Sequence, residues 1–316
     1  MTTTDSKPRA PLIRQPAASA PTRLWLGPLL LAAAALAWSG NHVFARALAG
    51  TVPLWSLNLV RWAVVALIIG AINYRAIKRD WPVLVTHLPV LILLGATGGG
   101  LFGTFQFIAL QHTTVINMGV MNSVAPALIV GASFALFGER ISGLQVFGIL
   151  TSLTGVMAIV SQLNIDRLSS LTFNTGDLII FGNMILWGFY SACLRLRPPV
   201  PVTSFLFVLA TGAAFVNLPM AWFELAQGLE LDFADPMMLG VIAYTALFSS
   251  ITAYLCWSRG IEIMGTARAS AFLHLIPLFG ATLGYAIFGE PLQVYHLVGF
   301  ALILAGVSLA GRKRAA

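Results

Sequence analysis

Long apolar runs, separated by short polar segments, dominate the sequence. Each run approaches the ~20 apolar residues that a helix needs to cross about 30 Å of hydrocarbon. Short segments such as 75–82 and 137–140 carry the intervening charges, prolines and glycines, and only 224–236 resembles a longer loop. The pattern predicts an all-α integral membrane protein with ten transmembrane helices. These helices are predicted at 25–45, 54–74, 88–110, 114–137, 142–161, 175–195, 202–223, 236–259, 266–288 and 293–311.

The composition supports the same class of protein. Of the 316 residues, 58% are hydrophobic and only 9% are charged, whereas a soluble domain is about one quarter charged. This balance excludes a disordered chain, a soluble enzyme and a basic nucleic-acid-binding protein. Cys193 and Cys256 lie inside apolar runs, so the cysteines predict neither a disulfide framework nor a metal site. Residues 1–24, rich in Pro, Ala and Thr, are predicted to form a disordered cytoplasmic tail.

The positions of Lys and Arg predict an N-in, C-in orientation. With the N-terminus inside, the cytoplasmic segments contain all but three of the 18 Lys and Arg side chains. The exceptions are Arg46 and Arg167 on the outer side and Arg61 within a span. The net charge of +7 then lies where anionic lipid head groups attract it. Membrane lipids are therefore predicted partners, and no nucleic-acid partner is required.

The second half of the chain repeats the first at an offset of 151 residues. Residues 25–161 form the first predicted repeat and 175–311 the second, each with five spans. Because five is odd, the second repeat is predicted to lie inverted relative to the first. The matching residues are Pro126 with Pro277, Phe137-Gly138-Glu139 with Phe288-Gly289-Glu290, Gly148 with Gly299, and Gly155-Val156 with Gly306-Val307.

Inverted repeats of this kind recur in secondary transporters, which hold substrate near the midplane where the repeats meet. Two similar units facing opposite ways can exchange an inward-closed packing for an outward-closed one. The sequence therefore predicts transport by alternating access. The alternatives are an old duplication retained in a scaffold and an integral-membrane enzyme.

The paired units also resemble a known family. The residues that carry the resemblance are Trp38-Ser39-Gly40-Asn41 in the first span, Arg61 in the second, and the repeated Phe-Gly-Glu. In this order they are similar to the EamA family of the drug/metabolite transporter superfamily, and within it to the YddG-type exporters of aromatic and other neutral amino acids. The resemblance covers about residues 25–311. It implies ten helices and export from the cytoplasm without nucleotide or other cofactor.

Polar and aromatic side chains inside the spans are the candidate cavity residues, because lipid-facing positions gain nothing from them. Packing and interfacial anchoring are the alternative roles for the tryptophans, and a structural hydrogen bond is the alternative for Gln106. The candidates are Trp38, Asn41, Phe102, Phe105, Gln106, Asn117, Met121, Asn122, Trp187, Tyr190, Trp257, Phe272 and His274.

Two mid-span prolines are candidates for gating. Pro126 and Pro277 occupy corresponding positions in the two repeats, and each removes an intrahelical hydrogen bond and can kink its helix. Static packing is the alternative, because neighbouring helices can satisfy the freed backbone groups. The glycines at 98–100 similarly allow either close helix packing or a hinge.

Arg61 is the only charged residue well within a predicted span. It is a possible contact for a substrate carboxylate, and the alternatives are a side chain that extends to the interface and an internal strut. No Asp or Glu lies deep in any span, and His42 and His274 are the remaining titratable candidates. The sequence therefore predicts facilitated or weakly proton-coupled export.

The predicted substrate is a small amphipathic metabolite, and a neutral or aromatic amino acid fits the resemblance best. Multidrug or other metabolite efflux is the alternative within the same class. The sequence shows no paired carboxylates, no His cluster and no metal-ligand spacing, so no catalytic residue, metal or cofactor is predicted. A bacterial-type inner membrane is the predicted location. Ten helices can enclose a path within one chain, which makes a monomer plausible.

Overall fold

The computed structural model describes residues 22–47, 52–113, 121–169, 174–289 and 293–311. Helices account for nearly all of the secondary structure in these ranges, and none of them contains a strand. Three of the helices are built from consecutive segments of different helical type. The main helices are α1 (Thr22–Ala47), α2 (Leu54–Thr86), α3 (Leu88–Gly95, Ala96–Gly100 and Leu101–His112), α4 (Ala125–Phe137), α5 (Gly143–Ser161), α6 (Thr175–Cys193), α7 (Val202–Ala226), α8 (Pro236–Tyr244, Thr245–Thr252 and Ala253–Met264), α9 (Thr266–Ser270, Ala271–His274 and Leu275–Phe288) and α10 (Val294–Gly311).

Seven helices in the described ranges are long and apolar enough to cross a membrane. They are Leu54–Thr86, Leu88–Ala109, Gly143–Ser161, Thr175–Leu196, Val202–Ala226, Pro236–Met264 and Thr266–Ile287. Met121–Phe137 and Val294–Ala310 are shorter apolar helices, and α1 has 26 residues. The all-helical membrane fold is therefore confirmed. The count of ten spans and the N-in, C-in orientation stay predictions, and most of the predicted tail lies outside the described residues.

The glycine of the repeated Phe-Gly-Glu motif ends a helix in the same way in both halves of the chain. Gly138 ends α4 with φ +65° and Gly289 ends α9 with φ +67°. This left-handed conformation is strained for a residue with a Cβ atom, so glycine is the favoured residue there. The glycine therefore recurs at this position because both helices end in the same left-handed conformation.

Helix α2 extends beyond its predicted end at residue 74. Non-helical dihedral angles are confined to Asn73, after which the helix continues through the predicted polar segment 75–82 to Thr86. In this extension the Asp80 carboxylate accepts a hydrogen bond from Ser204 Oγ on α7 at 2.7 Å. The charged segment thus packs on α7, a contact that the one-dimensional pattern does not indicate.

Glu224 has a structural role that its predicted position in a loop did not suggest. Helix α7 continues through it to Ala226, and its carboxylate accepts hydrogen bonds from the backbone N–H of Trp55 at 3.1 Å and of Ser56 at 2.8 Å. These are unpaired donors in the first turn of α2, where the helix dipole favours a negative charge. Glu224 therefore caps α2 from another helix.

The helices pair across the two halves of the chain. Helix α1 packs on α8 and α9, just as α6 packs on α3 and α4, while α2 packs on α7 and α5 on α10. If each helix is replaced by the equivalent helix of the other repeat, the same set of helix pairs results. The core therefore lies between the repeats rather than within either of them.

Glycines bring α5 and α10 into backbone contact. A Cβ at Gly148 would lie 2.5 Å from the backbone nitrogen of Ala310, and one at Gly155 would lie 2.7 Å from the carbonyl oxygen of Gly299. Residues with higher numbers on α5 contact residues with lower numbers on α10, so these equivalent helices run antiparallel. Helices α2 and α7 also run antiparallel, since Asn58 contacts Asn217 and Asp80 contacts Ser204.

Candidate functional site

The third helix of each repeat contains a π-helical segment. These segments are Ala96–Gly100 in α3 and Thr245–Thr252 in α8, and they overlap at the repeat offset of 151 residues. A π-turn interrupts the regular ladder of backbone hydrogen bonds, and such turns occur frequently at functional sites. The structure therefore places an irregular backbone at matched positions near the middle of the bundle.

Side chains from neighbouring helices bind the carbonyl oxygens of these segments. Trp62 Nε1 donates to Gly99 O at 3.0 Å, and the hydroxyl of Tyr254 donates to Gly98 O. In α8, the carbonyl oxygen of Ser249 accepts a hydrogen bond from Trp38 Nε1 at 3.0 Å. Because an unsatisfied carbonyl is costly in a membrane interior, these contacts fix three aromatic side chains around the two π-helical segments.

Seven aromatic rings meet between the π-helical segments and form what we call the aromatic cluster. Neighbouring rings have centroids 4.6 to 6.2 Å apart, in edge-to-face and tilted arrangements that aromatic pairs favour. Helices from both repeats contribute, so the cluster lies where the repeats meet. Its members are Trp38, Trp62, Phe102, Trp187, Tyr190, Tyr254 and Trp257.

The cluster brings together five of the aromatic candidates, Trp38, Phe102, Trp187, Tyr190 and Trp257. Trp38 and Phe102 are half-buried, whereas the other three are buried. The indole N–H of Trp257 has no hydrogen-bond acceptor among the described residues, although its side chain is almost fully buried.

Sequence reasoning missed two members of the cluster, Trp62 and Tyr254. Trp62 directly follows Arg61, the only charge well within a predicted span. Helical spacing offers one clue to Tyr254, since it precedes Trp257 by three residues and so shares its helix face.

Half-buried polar side chains lie on one side of the cluster. Asn41 donates from Nδ2 to Ser249 Oγ at 2.8 Å, and Gln106 Oε1 accepts a hydrogen bond from Asn183 Nδ2 at 3.2 Å. Asn41 follows Trp38 along α1, and Gln106 follows Phe102 along α3. Both amides therefore lie farther than the rings from the face of the bundle at which α1 begins. We call that face the N-terminal face.

The remaining aromatic and polar candidates lie near the cluster or outside the described residues. Phe105 packs edge-on against Trp55 with centroids 6.2 Å apart. Met121 is half-buried against the main core. Asn122 is half-buried, and its Oδ1 has no donor in the described ranges. Asn117 lies outside the described residues.

His274 links three helical elements. Its Nδ1 lies 2.6 Å from Ser152 Oγ on α5, and its Nε2 lies 3.0 Å from the carbonyl oxygen of Ser123, just before α4. Both ring nitrogens therefore contact protein groups. Phe272, in the same short 3₁₀ segment, is buried in the main core.

The two prolines lie beside helix breaks. Pro126 lies in the first turn of the helix Ala125–Phe137, and Pro277 is the third residue of Leu275–Phe288, which follows the 3₁₀ turn Ala271–His274. Each proline thus lies where an α-helical segment begins. At such a position the backbone N–H that proline lacks is not needed for the hydrogen bonds within the segment. Both helices are broken at corresponding depths, whereas the gating role stays a prediction.

The glycines at 98–100 permit close packing of α3. A Cβ at Gly98 would lie 2.3 Å from the ring of Tyr190, and one at Gly99 would lie 2.9 Å from the ring of Trp62. A side chain at either of these two positions would displace a ring of the aromatic cluster. Of the two roles considered for this segment, the structure supports close approach.

Arg61 is buried, with 5% of its surface exposed, and lies beside the aromatic cluster. Its Nε donates to Ser250 Oγ at 2.6 Å, and one Nη lies 3.4 Å from Ser249 Oγ. The guanidinium carbon lies 5.2 Å from the ring centroid of Trp62. The side chain therefore points into the bundle rather than extending to the interface.

A buried polar network that sequence reasoning missed joins α2, α3 and α7. Thr104 Oγ1 accepts a hydrogen bond from Asn58 Nδ2 at 2.8 Å and donates to Asn217 Oδ1 at 2.7 Å. Both asparagines also donate to the carbonyl oxygen of Gly100, at 2.9 and 3.1 Å. The network therefore holds the first π-helical segment in place.

Replacing Thr104 with valine is expected to destabilise this network. The substitution keeps the shape of the side chain but removes the 2.7 Å hydrogen bond to Asn217 Oδ1, which then accepts only the longer one from Asn58 Nδ2 at 3.4 Å. It also removes the 2.8 Å acceptor of Asn58 Nδ2, and losing these buried hydrogen bonds costs ~1–3 kcal/mol. The melting temperature in detergent should fall by several degrees. Thr154→Val is the matched control, because Thr154 is exposed and bonds only to Leu150 O in its own helix. Equal melting temperatures for the two variants would contradict the prediction.

Ion pairs connect helix ends at the N-terminal face. Glu262 on α8 pairs with Arg197, which follows α6, and with Arg259 at 2.5 Å. Arg195 lies 3.6 Å from Glu139 of the first Phe-Gly-Glu motif. Burial, and to a smaller extent the charge of Arg259, lower the pKa of Arg197 from its usual value. These contacts hold the ends of α4, α6 and α8 together at this face.

Comparison with known proteins shows that both halves of the chain match the same protein family. The EamA-like transporter family matches residues 25–161 and again residues 174–312. The "Uncharacterized transporter YyaM" of Bacillus subtilis is 27% identical over 69% of this chain and 72% of its own length. The "Probable terminal-alkyne amino-acid exporter" of Streptantibioticus cattleyicolor is 23% identical over 82% of this chain and 83% of its own length.

A solved crystal structure has the same fold. It superimposes with a TM-score of 0.69 and covers 92% of this chain and 97% of its own, at 20% sequence identity. At this identity the likeness establishes the fold alone. The helix arrangement described above thus also occurs in a protein whose structure has been determined by experiment.

Proposed function

The chain belongs to the EamA-like transporter family, and from this premise we propose that it exports neutral and aromatic amino acids by alternating access. Membership of the family makes it a multi-pass membrane transporter, whose partners are a small-molecule substrate and the surrounding lipid. The observation that carries the proposal is the aromatic cluster where the two repeats meet, bordered by half-buried amides and by the buried Arg61.

The helix arrangement supports the alternating-access part of the proposal. The equivalent helices α5 and α10 run antiparallel, as do α2 and α7, which is the relation that inverted repeats require. The ion pairs of Arg195 and Arg197 hold one face together, and the half-buried amides lie on the other side of the rings. In the proposed cycle, exchange of the two repeat conformations opens the first face and closes the second.

The site favours amino acids over the other candidate substrates. Aromatic rings suit an apolar side chain, while Asn41, Gln106 and Arg61 supply polar groups for a head group. The relative from Streptantibioticus cattleyicolor, named as a probable amino-acid exporter, supports the same class. Multidrug efflux is less favoured for organic cations, because Arg61 places a positive charge beside the rings. An enzyme is disfavoured, since the matched family and these relatives are transporters.

The proposed location is a bacterial-type inner membrane, and a monomer is the proposed functional unit. The N-in, C-in orientation predicted from Lys and Arg places the ion-paired N-terminal face in the cytoplasm. Facilitated or weakly proton-coupled export remains the proposed energetics, because the deep part of the spans contains no carboxylate.

Counterflow in proteoliposomes tests the proposed function. Vesicles preloaded with unlabelled phenylalanine should transiently accumulate external radiolabelled phenylalanine, and other neutral amino acids should compete. An imposed pH gradient should not drive phenylalanine well above equilibration. Failure of every amino acid in a panel to exchange, with exchange of cationic dyes instead, would favour the multidrug alternative. Strong accumulation driven by the pH gradient would contradict the facilitative mechanism but would leave amino-acid export itself standing.

A further inference from the structure

Arg61 is a buried cation that lacks a counter-ion among the residues that the structure describes. No carboxylate in the described part of the chain makes an ion pair with it, and its contacts are to the neutral hydroxyls of Ser249 and Ser250. An unpaired charge is expensive in a membrane interior, and such residues commonly mark substrate sites. The position is therefore electrostatically suited to an anionic group that is not part of the protein.

The guanidinium also has hydrogen-bonding capacity to spare. It carries five N–H donors, of which the two serines engage Nε–H and one Nη–H. Two parallel N–H groups form the geometry that binds a carboxylate in bidentate fashion. The serines thus hold the guanidinium in position and leave donors for a ligand.

Asn41 supplies the complementary group beside it. Its Nδ2 and the guanidinium of Arg61 both donate to Ser249 Oγ, at 2.8 and 3.4 Å. Its Oδ1 is buried and has no donor among the described residues. A carbonyl oxygen in this position can accept a hydrogen bond from an ammonium group. One serine hydroxyl therefore brings an anion-binding group and an ammonium-binding group together.

The aromatic cluster begins directly next to this pair. Trp38 is one turn before Asn41 and donates to Ser249 O, and Trp62 stacks near the guanidinium. A ligand whose charged end lies at Arg61 and Asn41 would therefore place its apolar end on aromatic rings.

We propose that Arg61, Asn41 and Ser249 form a head-group subsite for a zwitterionic α-amino acid, in which Arg61 binds the carboxylate and Asn41 Oδ1 binds the ammonium group. This inference rests on the proposed function and adds to it the chemistry that the site selects. Molecules with only one of the two charges bind less tightly, and organic cations are repelled by Arg61. Ser250 acts as a positioning residue, because it orients the guanidinium through Nε.

Competition between phenylalanine and two analogues tests the subsite. Phenylalaninamide keeps the ammonium group but lacks the carboxylate, and 3-phenylpropionate keeps the carboxylate but lacks the ammonium group. In phenylalanine counterflow by the wild-type protein, each analogue should need at least about tenfold higher concentration than phenylalanine for half-inhibition, as expected for losing a hydrogen bond to a charged group.

Variants assign each preference to its residue. Arg61→Gln should abolish the preference over phenylalaninamide, and Arg61→Lys, which keeps the charge, should retain part of it. Asn41→Leu should abolish only the preference over 3-phenylpropionate. Arg75→Gln is the matched control, because Arg75 is an exposed arginine on the same helix, and it should leave both preferences unchanged. A purely structural strut would change the rate or the stability without changing the ratio between competitors.

The outcomes separate the subsite from the proposed function. Equal inhibition by phenylalanine and phenylalaninamide in the wild type would overturn the subsite, even if no Arg61 variant folds. Wild-type preferences in folded Arg61→Gln would overturn it as well. In either case amino-acid exchange itself would stand. Absence of exchange with every amino acid would instead overturn the proposed function and the subsite together.

Discussion

Replacing Gly306 with leucine is expected to prevent stable folding of the protein. A Cβ at this position would lie 2.4 Å from the backbone nitrogen of Ser152 and 2.5 Å from the carbonyl oxygen of Gly148. These are backbone atoms in the centre of α5, so no side-chain rotation relieves the overlap. The two helices would have to separate along their whole contact, at a cost of about 3 kcal/mol or more.

The measurement is the thermal stability of the detergent-solubilised protein, followed by size-exclusion chromatography. Gly306→Leu should lose the monodisperse peak, and Gly306→Ala should already lower the melting temperature. Gly131→Leu is the matched control, because Gly131 is exposed on α4 and its Cβ would meet no atom within 4 Å. A Gly306→Leu variant as stable as Gly131→Leu would show that α5 and α10 do not pack as described.

Truncating Trp187 to alanine should cause the largest loss of transport among substitutions in the aromatic cluster. Its ring contacts Phe102, Trp38, Tyr190 and Trp257, with centroid distances of 4.6, 5.3, 5.2 and 6.0 Å. Only 3% of its surface is exposed, so its removal leaves a cavity that costs ~3–5 kcal/mol if the neighbours do not collapse. The same ring is the centre of the proposed apolar binding surface.

We expect the rate of phenylalanine counterflow to fall at least about tenfold in Trp187→Ala, since one aromatic contact contributes ~0.5–1.5 kcal/mol beyond its buried area. Trp187→Phe, which keeps a ring, should recover much of the rate. Trp222→Ala provides the control for protein quantity and insertion, because 71% of Trp222 is exposed on α7. Transport by Trp187→Ala at the rate of Trp222→Ala would remove the aromatic cluster from the proposed path.

The membrane class, the internal repeat and part of the site could be predicted from the sequence. The Phe-Gly-Glu motif predicted equivalent helix ends, and Gly138 and Gly289 adopt almost the same φ angle. Trp38 and Trp187 are two of the predicted cavity residues, and their ring centroids lie 5.3 Å apart. The membrane class and the equivalent helix ends depend on composition and on local backbone geometry, which a sequence pattern records directly, whereas the cavity role of the two tryptophans stays a prediction.

Other residues could not be assigned because their environment comes from distant helices. Arg61 and Trp62 are about 100° apart around α2, so a helical pattern suggests that only one faces the core. Both are buried, because α8 covers Arg61 and the π-helical segment of α3 covers Trp62. Ser249 and Ser250 gave no reason for attention until the structure placed Asn41 and Arg61 against them.

By itself the sequence determined that the chain is an all-α membrane protein built from two similar halves, because long apolar runs and repeated motifs are properties of the chain read in order. Only the tertiary structure decided that α1 packs on α8, that seven rings form one cluster, and that a buried arginine has no counter-ion in the described ranges. The physical reason is that the deciding contacts join helices of different repeats, with Asn41 and Ser249 separated by 208 positions. Hydropathy specifies which segments enter the membrane, whereas backbone approach at glycines and hydrogen bonds to π-helical carbonyls specify which segments meet there.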